Sequence, residues 1–229
     1  MNPEQADAKV LAIDGPGGAG KSTVSDLVAR RLGMRRLDTG AIYRAVTSAV
    51  LHAGAVATDA AACAAIAERA HVELSDGTVA VDGRDVTTEI RGPAVTEAVP
   101  VVSAHPGVRR ALVALQRQVA AKGSWVVEGR DIGTVVFPDA ALKVFLTASA
   151  QERARRRAAE FGETDLARVE SEIRRRDLAD STRTDSPLRP ADDAVTVVSD
   201  GLTAEEVADT IAELWRQRWA TPDRPRTAP

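Results

Sequence analysis

KVLAIDGPGGAGKSTVSDLVARRL, residues 9–32, decides the fold. Val10 to Ile13 is a short apolar, partly β-branched run of the kind that fills a buried parallel strand. The run ends at Asp14. Gly15-Pro16-Gly17-Gly18-Ala19-Gly20-Lys21-Ser22 then matches G-x-x-x-x-G-K-[ST], and Thr23 opens a segment with Val24, Leu27, Val28 and Leu32 at helical spacing. Strand, glycine loop and helix thus come in the order a phosphate cradle requires. Glycines let successive N–H groups turn toward phosphate oxygens with no Cβ in the way. The helix N-terminus adds partial positive charge. Lys21 can reach β and γ phosphates, and the Ser22 hydroxyl is a ligand for Mg²⁺. A bare glycine-rich turn would explain the letters but not the context, so residues 15–23 are read as the site of a nucleoside triphosphate.

Working outward, Arg35 to Leu37 is a strand candidate. Ala41 to Ala53 is an amphipathic helix with Thr39 or Asp38 placed to cap it. Asp59 to Ala70 reads as a helix of small residues. The character changes at His71: Val72–Ser75 and Val79–Val81 alternate around Asp76-Gly77, a hairpin signal, and an extended region continues to Pro93. Glu97 to Ser103 is a short helix weakened by Pro100. A strong helix starts at Pro106 and ends by Gly123. Trp125 to Val127 and Leu142 to Leu146 are buried strands. An arginine-rich helix opens near Ser149, breaks at Gly162, and is followed by a second from about Asp165 to Asp180. Val195 to Val198 is the last strand, and Thr203 to Trp219 the closing helix with a Thr203/Glu206 capping box. The expected architecture is α/β, a parallel sheet flanked by helices. Residues 9–70 and 104–220 form its core, 71–103 a small β-rich insert, about 153–180 a helical arginine-rich lid, and 221–229 a disordered tail.

The 229 residues suit one large α/β domain, and at 44% hydrophobic but 3% aromatic its core must be built from Ala, Val, Leu and Ile. A net charge of −3 argues against a nucleic-acid or membrane-surface partner. A single cysteine, Cys63, excludes an internal disulfide and a cysteine-rich zinc site, and is read as a small buried side chain. His52, His71 and His105 form no ligand pattern. No stretch has the length of a membrane span and residues 1–8 lack a signal-peptide core, so a cytoplasmic monomer is expected.

The phosphate loop leaves the acceptor open: water, a small molecule or another nucleotide. Arginines argue for an anion. Arg44 lies one helical turn past Thr39-Gly40, Arg109 near a helix start, Arg130 at a strand end, and Arg176 and Arg183 flank Asp180. At strand ends and loop-proximal helix starts they would hold a second phosphate in line with the first, which is most of the work in phosphoryl transfer. The competing view is a solvated surface, because residues 153–176 also carry five carboxylates.

Five segments carry a resemblance over nearly the whole chain. They are Ile13 to Pro16 running into Gly20-Lys21-Ser22-Thr23, Leu37-Asp38-Thr39-Gly40-Ala41-Ile42-Tyr43-Arg44, Gly83 to Arg91, Glu128-Gly129-Arg130-Asp131-Ile132-Gly133-Thr134-Val135-Val136-Phe137-Pro138-Asp139, and Arg176 to Arg183. In these the chain resembles the bacterial cytidylate kinases, within the nucleoside monophosphate kinases. The resemblance implies a P-loop kinase passing phosphate from ATP, with Mg²⁺, to CMP or dCMP in pyrimidine metabolism. It implies that residues 71–103 are the NMP-binding insert and that Arg156 and Arg157 join residues 15–23 at ATP. Thr39, Arg44 and Arg130 would hold the CMP phosphate and nearby groups. Arg109 and Asp131 would face cytosine, and Arg176, Asp180 and Arg183 would serve the sugar and the phosphates. Lys21, Arg130, Arg176 and Arg183 form the implied catalytic set. A carboxylate beside an arginine complements the cytosine N4 amino group and its O2/N3 acceptors, whereas uracil O4 would leave buried groups unpaired. One position departs from the family: Pro100 stands where a base-holding hydroxyl is usual, so either Ser103 substitutes or discrimination is weaker. Two rivals remain, a same-fold kinase for another small acceptor and a non-catalytic nucleotide-binding module.

Overall fold

The computed structural model describes residues 9–75 and 77–220. These divide into two compact units, one of residues 9–37, 122–182 and 186–220, the other of 38–75, 77–121 and 183–185. The tail at 221–229 lies outside the described residues.

In the first unit, strand β1 (Lys9–Asp14) leads through the glycine loop into helix α1 (Lys21–Leu32) and strand β2 (Arg35–Asp38). Later come β6 (Ser124–Gly129), β7 (Leu142–Thr147), α6 (Ala150–Phe161), α7 (Leu166–Thr182), β8 (Val195–Val198) and α8 (Ala204–Ala220). The five strands form one sheet in the order β2-β6-β1-β7-β8. β1 runs parallel to both β6 and β7, and β7 parallel to β8. This register sets Asp14 opposite Gly129 on one side and Phe145 on the other. The glycine loop therefore leaves the sheet at its C-terminal edge, where parallel sheets bind ligands. Leu11, Ile13, Val126, Val144 and Leu146 pack on Val24 and Val28 of α1 and on Val207 and Ile211 of α8. Residues of this kind contribute about 1.5–3 kcal/mol each on full burial. The Thr203/Glu206 capping box forms, with Thr203 N donating to Glu206 and Glu206 N to Thr203. Gly162 ends α6 at φ 68°, and Ala154, nearer the start of α6, packs with Val169 and Ile173 of α7.

In the second unit, α2 (Thr39–His52) is capped by Asp38, whose carboxylate accepts from Ala41 N at 3.0 Å; Thr39 is buried instead. α3 (Ala60–Arg69) is capped by Asp59 and packs on α5 (Pro106–Val119), with Cys63 fully buried. β3 (Val72–Ser75), β4 (Thr78–Val81) and the two-residue β5 (Arg84–Asp85) form an antiparallel sheet. Val79, Val81, Val86 and Ile90 close over Ala45 of α2.

Four expectations change here. The extended region does not run to Pro93: Asp85 accepts from Thr87 N, an Asx turn, and Glu89–Arg91 is a 3₁₀ turn. The following helix, α4, spans Pro93–Val102 and starts four residues early, because Pro93 takes the first helical position, where a missing N–H costs nothing. Pro100 is tolerated near its end, since the helix stops two residues later and Val95, Val99 and Val102 bury one face. The second unit is also wider than 71–103. α2 packs on the hairpin and on α3 and α5, and α3 packs on α5, so the division falls at Asp38 and Ala121.

Candidate active site

The glycine loop owes its path to backbone that only glycine allows at one point. At Gly15 φ is 152°, and a Cβ would lie 1.9 Å from the carbonyl oxygen of Leu146 in β7. From there the chain turns into α1, whose first residue, Lys21, is buried. Its ammonium donates to the carbonyls of Gly15 and Pro16, both at 2.8 Å. Burial, with Arg130 and Arg176 beside it, pushes the Lys21 pKa well below its usual value, while Glu128 and Asp14 pull the other way.

Two carboxylates at the ends of neighbouring strands stand under this loop. Glu128, at the end of β6, accepts from the Ser22 hydroxyl at 3.0 Å, the Ser25 hydroxyl at 3.0 Å and the Arg36 guanidinium at 2.6 Å. Asp14, at the end of β1, accepts main-chain N–H bonds from Ile132 and Gly133, each at 2.7 Å. Its pKa is pushed up to about 6, because desolvation outweighs those two bonds; Asp131 adds to the rise and Lys21 opposes it. For a divalent cation, the donors near the loop are oxygens only, Ser22 Oγ with the Glu128 carboxylate behind it. That fits a hard ion such as Mg²⁺, which takes further oxygens from phosphate and water. Among the described residues no group of three or more His, Cys, Asp or Glu could cage a metal.

Arginines complete the surroundings of the loop. Arg130 donates to the Gly15 carbonyl at 3.1 Å and to Asp180 at 3.1 Å. A Cβ on Gly17 would lie 3.3 Å from the Arg130 guanidinium and 3.9 Å from that of Arg176. Arg153 is buried: it grips Asp177 with both terminal nitrogens, at 2.9 and 2.6 Å, and donates to the Gly17 carbonyl at 3.2 Å. Arg156 donates to the hydroxyl and the carbonyl of Ser199, and the Ser199 hydroxyl in turn donates to Ala19 O at 3.4 Å. Further along the same helices Arg168 pairs with Glu163 and Glu172, and Arg174 with Glu170, all on the surface. Solvated pairs thus account for Arg168 and Arg174, whereas Arg153 and Arg156 turn toward the loop. Arg157 lies on α6 beside Arg156, half-buried.

The residues read from the sequence fall into two groups. Lys21, Ser22, Arg130, Arg176 and Asp180 gather at the loop in the first unit, with buried Asp131 following Arg130. Thr39, Arg44, Arg109 and Arg183 belong to the second. There Arg44 donates to Ile90 O and to the Thr96 hydroxyl, both at 3.2 Å. Arg109 is buried, stacks over Tyr43 at 5.7 Å and donates to the Ser103 carbonyl at 3.4 Å. Pro100 is exposed, and the Ser103 hydroxyl donates back to its carbonyl at 3.4 Å. Sequence reasoning gave no role to Asp14, Glu128, Arg36 or Arg153. One signal for the two acids was present: each is a lone carboxylate closing an otherwise apolar strand.

The comparisons agree with this geometry. The family model described as cytidylate kinase matches residues 11–217. The bifunctional pantoate ligase/cytidylate kinase of Prochlorococcus marinus (strain MIT 9313) is 51% identical over 217 residues, covering 90% of this chain and 43% of that protein. The cytidylate kinase of Mycobacterium avium (strain 104) is 53% identical over 219 residues, covering 91% of this chain and 96% of that one. The chain spans less than half the length of the bifunctional relative and nearly all of the mycobacterial one. With the phosphate loop, its two supporting acids and the surrounding arginines in place, the chain belongs to the cytidylate kinase family.

Proposed function

We propose that this protein transfers the γ-phosphate of ATP to CMP or dCMP, giving ADP and CDP or dCDP, as a monomer in the cytoplasm, with neither nucleic acid nor membrane as partner. Among the described residues no helix is long and apolar enough to cross a membrane. One observation carries the reading of phosphoryl transfer: Lys21 and Arg130 both donate to the Gly15 carbonyl beside Arg176, so several cations converge on one turn of the loop. Triphosphate oxygens in the cradle would take over these donors and relieve the repulsion among them. In-line transfer asks for positioning and charge neutralisation of this kind and needs no general base, because the acceptor phosphate is already an oxyanion.

In this reading residues 15–23, with Arg156 and Arg157, hold ATP. Ser22, with Glu128 holding its hydroxyl, is the protein's ligand for Mg²⁺, which when bound neutralises phosphate charge. Thr39, Arg44, Arg130, Arg176, Asp180 and Arg183 serve the acceptor's phosphate and sugar, and Arg109 and Asp131 its base. Residues 153–180, on α6 and α7, are the lid, with Arg153 already attached to the loop. Ser103 does not replace the missing hydroxyl at Pro100, since its own hydroxyl is turned back to Pro100 O and only its carbonyl holds Arg109. Weaker rejection of UMP follows. ADP release measured side by side with CMP, dCMP, UMP and AMP tests this. CMP and dCMP are expected to lead, UMP to be detectable, and AMP to be poor; dominant turnover of AMP or UMP overturns the assignment, and acceptor-independent hydrolysis points to the non-catalytic rival.

A further inference from the structure

Asp14 has no place in the transfer chemistry just described, yet it is an acid buried to 4% exposure beneath the phosphate loop. A charge there is costly, because burial outweighs the hydrogen bonds it accepts and leaves its pKa raised to about 6. The answer lies 118 residues further on. After β6 the chain passes Arg130 and Asp131 and enters a wide π turn over Ile132–Val136, in which Val136 N donates to Asp131 O and Phe137 N to Ile132 O. The first N–H groups of such a turn have no acceptor within it. Here those groups belong to Ile132 and Gly133, and each is taken by a different oxygen of Asp14 at 2.7 Å. The tie runs the other way too, since Arg130 donates to the carbonyl of Gly15, the residue after Asp14.

We propose that Asp14 is a positioning residue for the acceptor site: by holding the Ile132 and Gly133 amides it sets where Arg130 and Asp131 stand. This rests on the reading that Arg130 and Asp131 serve a nucleoside monophosphate. A carboxylate offers each of the two N–H donors its own acceptor oxygen, as seen here, which an amide side chain does not. The surroundings leave little room for a substitute arrangement. A Cβ on Gly133 would lie 3.0 Å from Lys143 Cδ and 3.4 Å from Asp14 Oδ2. The charged groups facing Asp14 are Lys21 from the loop helix, Asp131 from the turn, and Lys143 from β7, whose ammonium is paired with Asp193 at 2.8 Å. The Gly133 and Ile132 amides, and to a lesser degree Lys21, favour the ionised Asp14, while burial and Asp131 oppose it. Above pH 6 the carboxylate grips both amides. As pH falls through about 6 it gains a proton, and one oxygen ceases to accept.

The test is D14N, which keeps the shape but turns an NH₂ toward one of the two amides. Hydrogen exchange of the ligand-free protein should speed up about tenfold at Ile132 or Gly133, with the β1 core amides unchanged. In steady-state kinetics KM for CMP should rise about tenfold or more while KM for ATP stays within about twofold. The ratio of wild-type to variant kcat/KM for CMP should fall toward one as pH drops from 8 to 5. The phosphate of CMP also titrates near pH 6, but identically for both proteins, so the ratio isolates Asp14. Unchanged exchange at both amides, equal rises in the two KM values, or a pH-independent ratio overturns the proposal. If D14N does not fold, Gly133→Ala disturbs the same grip from the other side and must give the same split. Wild-type protein that ignores CMP would sink the functional reading and the acceptor half of this one; the exchange data would still decide the grip.

Discussion

In the first unit Asp14, Lys21, Glu128 and Arg153 are all buried, and each has protein partners at hydrogen-bond distance. In the second unit a comparable set lies half-exposed. Ser48 donates to Glu89 at 2.5 Å, His52 contacts Glu89 at 3.2 Å, and Arg84 reaches Ser48, His52 and Glu89, with the side chains of His52, Arg84 and Glu89 between 39% and 52% exposed. The same residue types thus do different jobs. Around the phosphate loop, charges are held away from water in fixed geometry, so that neutralising donors already point at one place. In the second unit buried Arg109 is the exception, and the charges of His52, Arg84 and Glu89 lie at the surface of α2 and its neighbours, where water screens them.

Substitutions can break this contrast. The largest effect is expected for Lys21→Met, a loss of about a thousandfold in kcat/KM for CMP with no fall in thermal stability. Removing a cation already disfavoured by burial relieves a cost; a collapse of the melting temperature would show that Lys21 is structural. Next comes Glu128→Ala, which removes the buried carboxylate shared by Ser22, Ser25 and Arg36 and should cost about 3 kcal/mol in urea unfolding. A cost under about 1 kcal/mol would mean that this network behaves like the surface one. Arg153→Lys keeps the charge but loses the two-pronged grip on Asp177, for which about 1–2 kcal/mol and a raised KM for ATP are expected. The smallest effect belongs to the second unit: Arg84→Ala should change stability by less than about 1 kcal/mol and vanish in 1 M salt. A larger, salt-independent loss would erase the distinction between the two regions.

The same contrast marks what was legible in the residues. β1, the loop and α1 could be read because the signal is local: an apolar run, glycines in fixed order and a helical stripe within 24 residues. The hairpin, the capping box at Thr203 and the helix break at Gly162 were local too. Where an outcome depended on partners far along the chain, reading failed. Arg36 and Glu128 are 92 residues apart and Asp14 and Ile132 118 apart, and no spacing rule joins them. Pro93 reads as the end of an extended region and Pro100 as a weakness in a helix starting at Glu97, whereas burial of Val95, Val99 and Val102 makes one helix contain both prolines. Arg153 and Arg155 sit two positions apart on one helix and so face opposite ways, but the sequence alone does not say which face meets the loop. One turns inward to Gly17, and the other pairs with Glu152 at 71% exposure.

The close approach of Gly15 to β7 has a consequence for how such a protein can change over time. A methyl group there would overlap the Leu146 carbonyl at 1.9 Å, backbone against backbone, so no side-chain adjustment could make room. The entrance to the cradle is thus closed to variation. Any drift in donor preference or turnover has to be written into the walls, at positions such as Arg153, Arg156 and Ser199 that touch the loop from outside. Gly15 itself has no alternative, whereas the residues leaning on the loop have room to change.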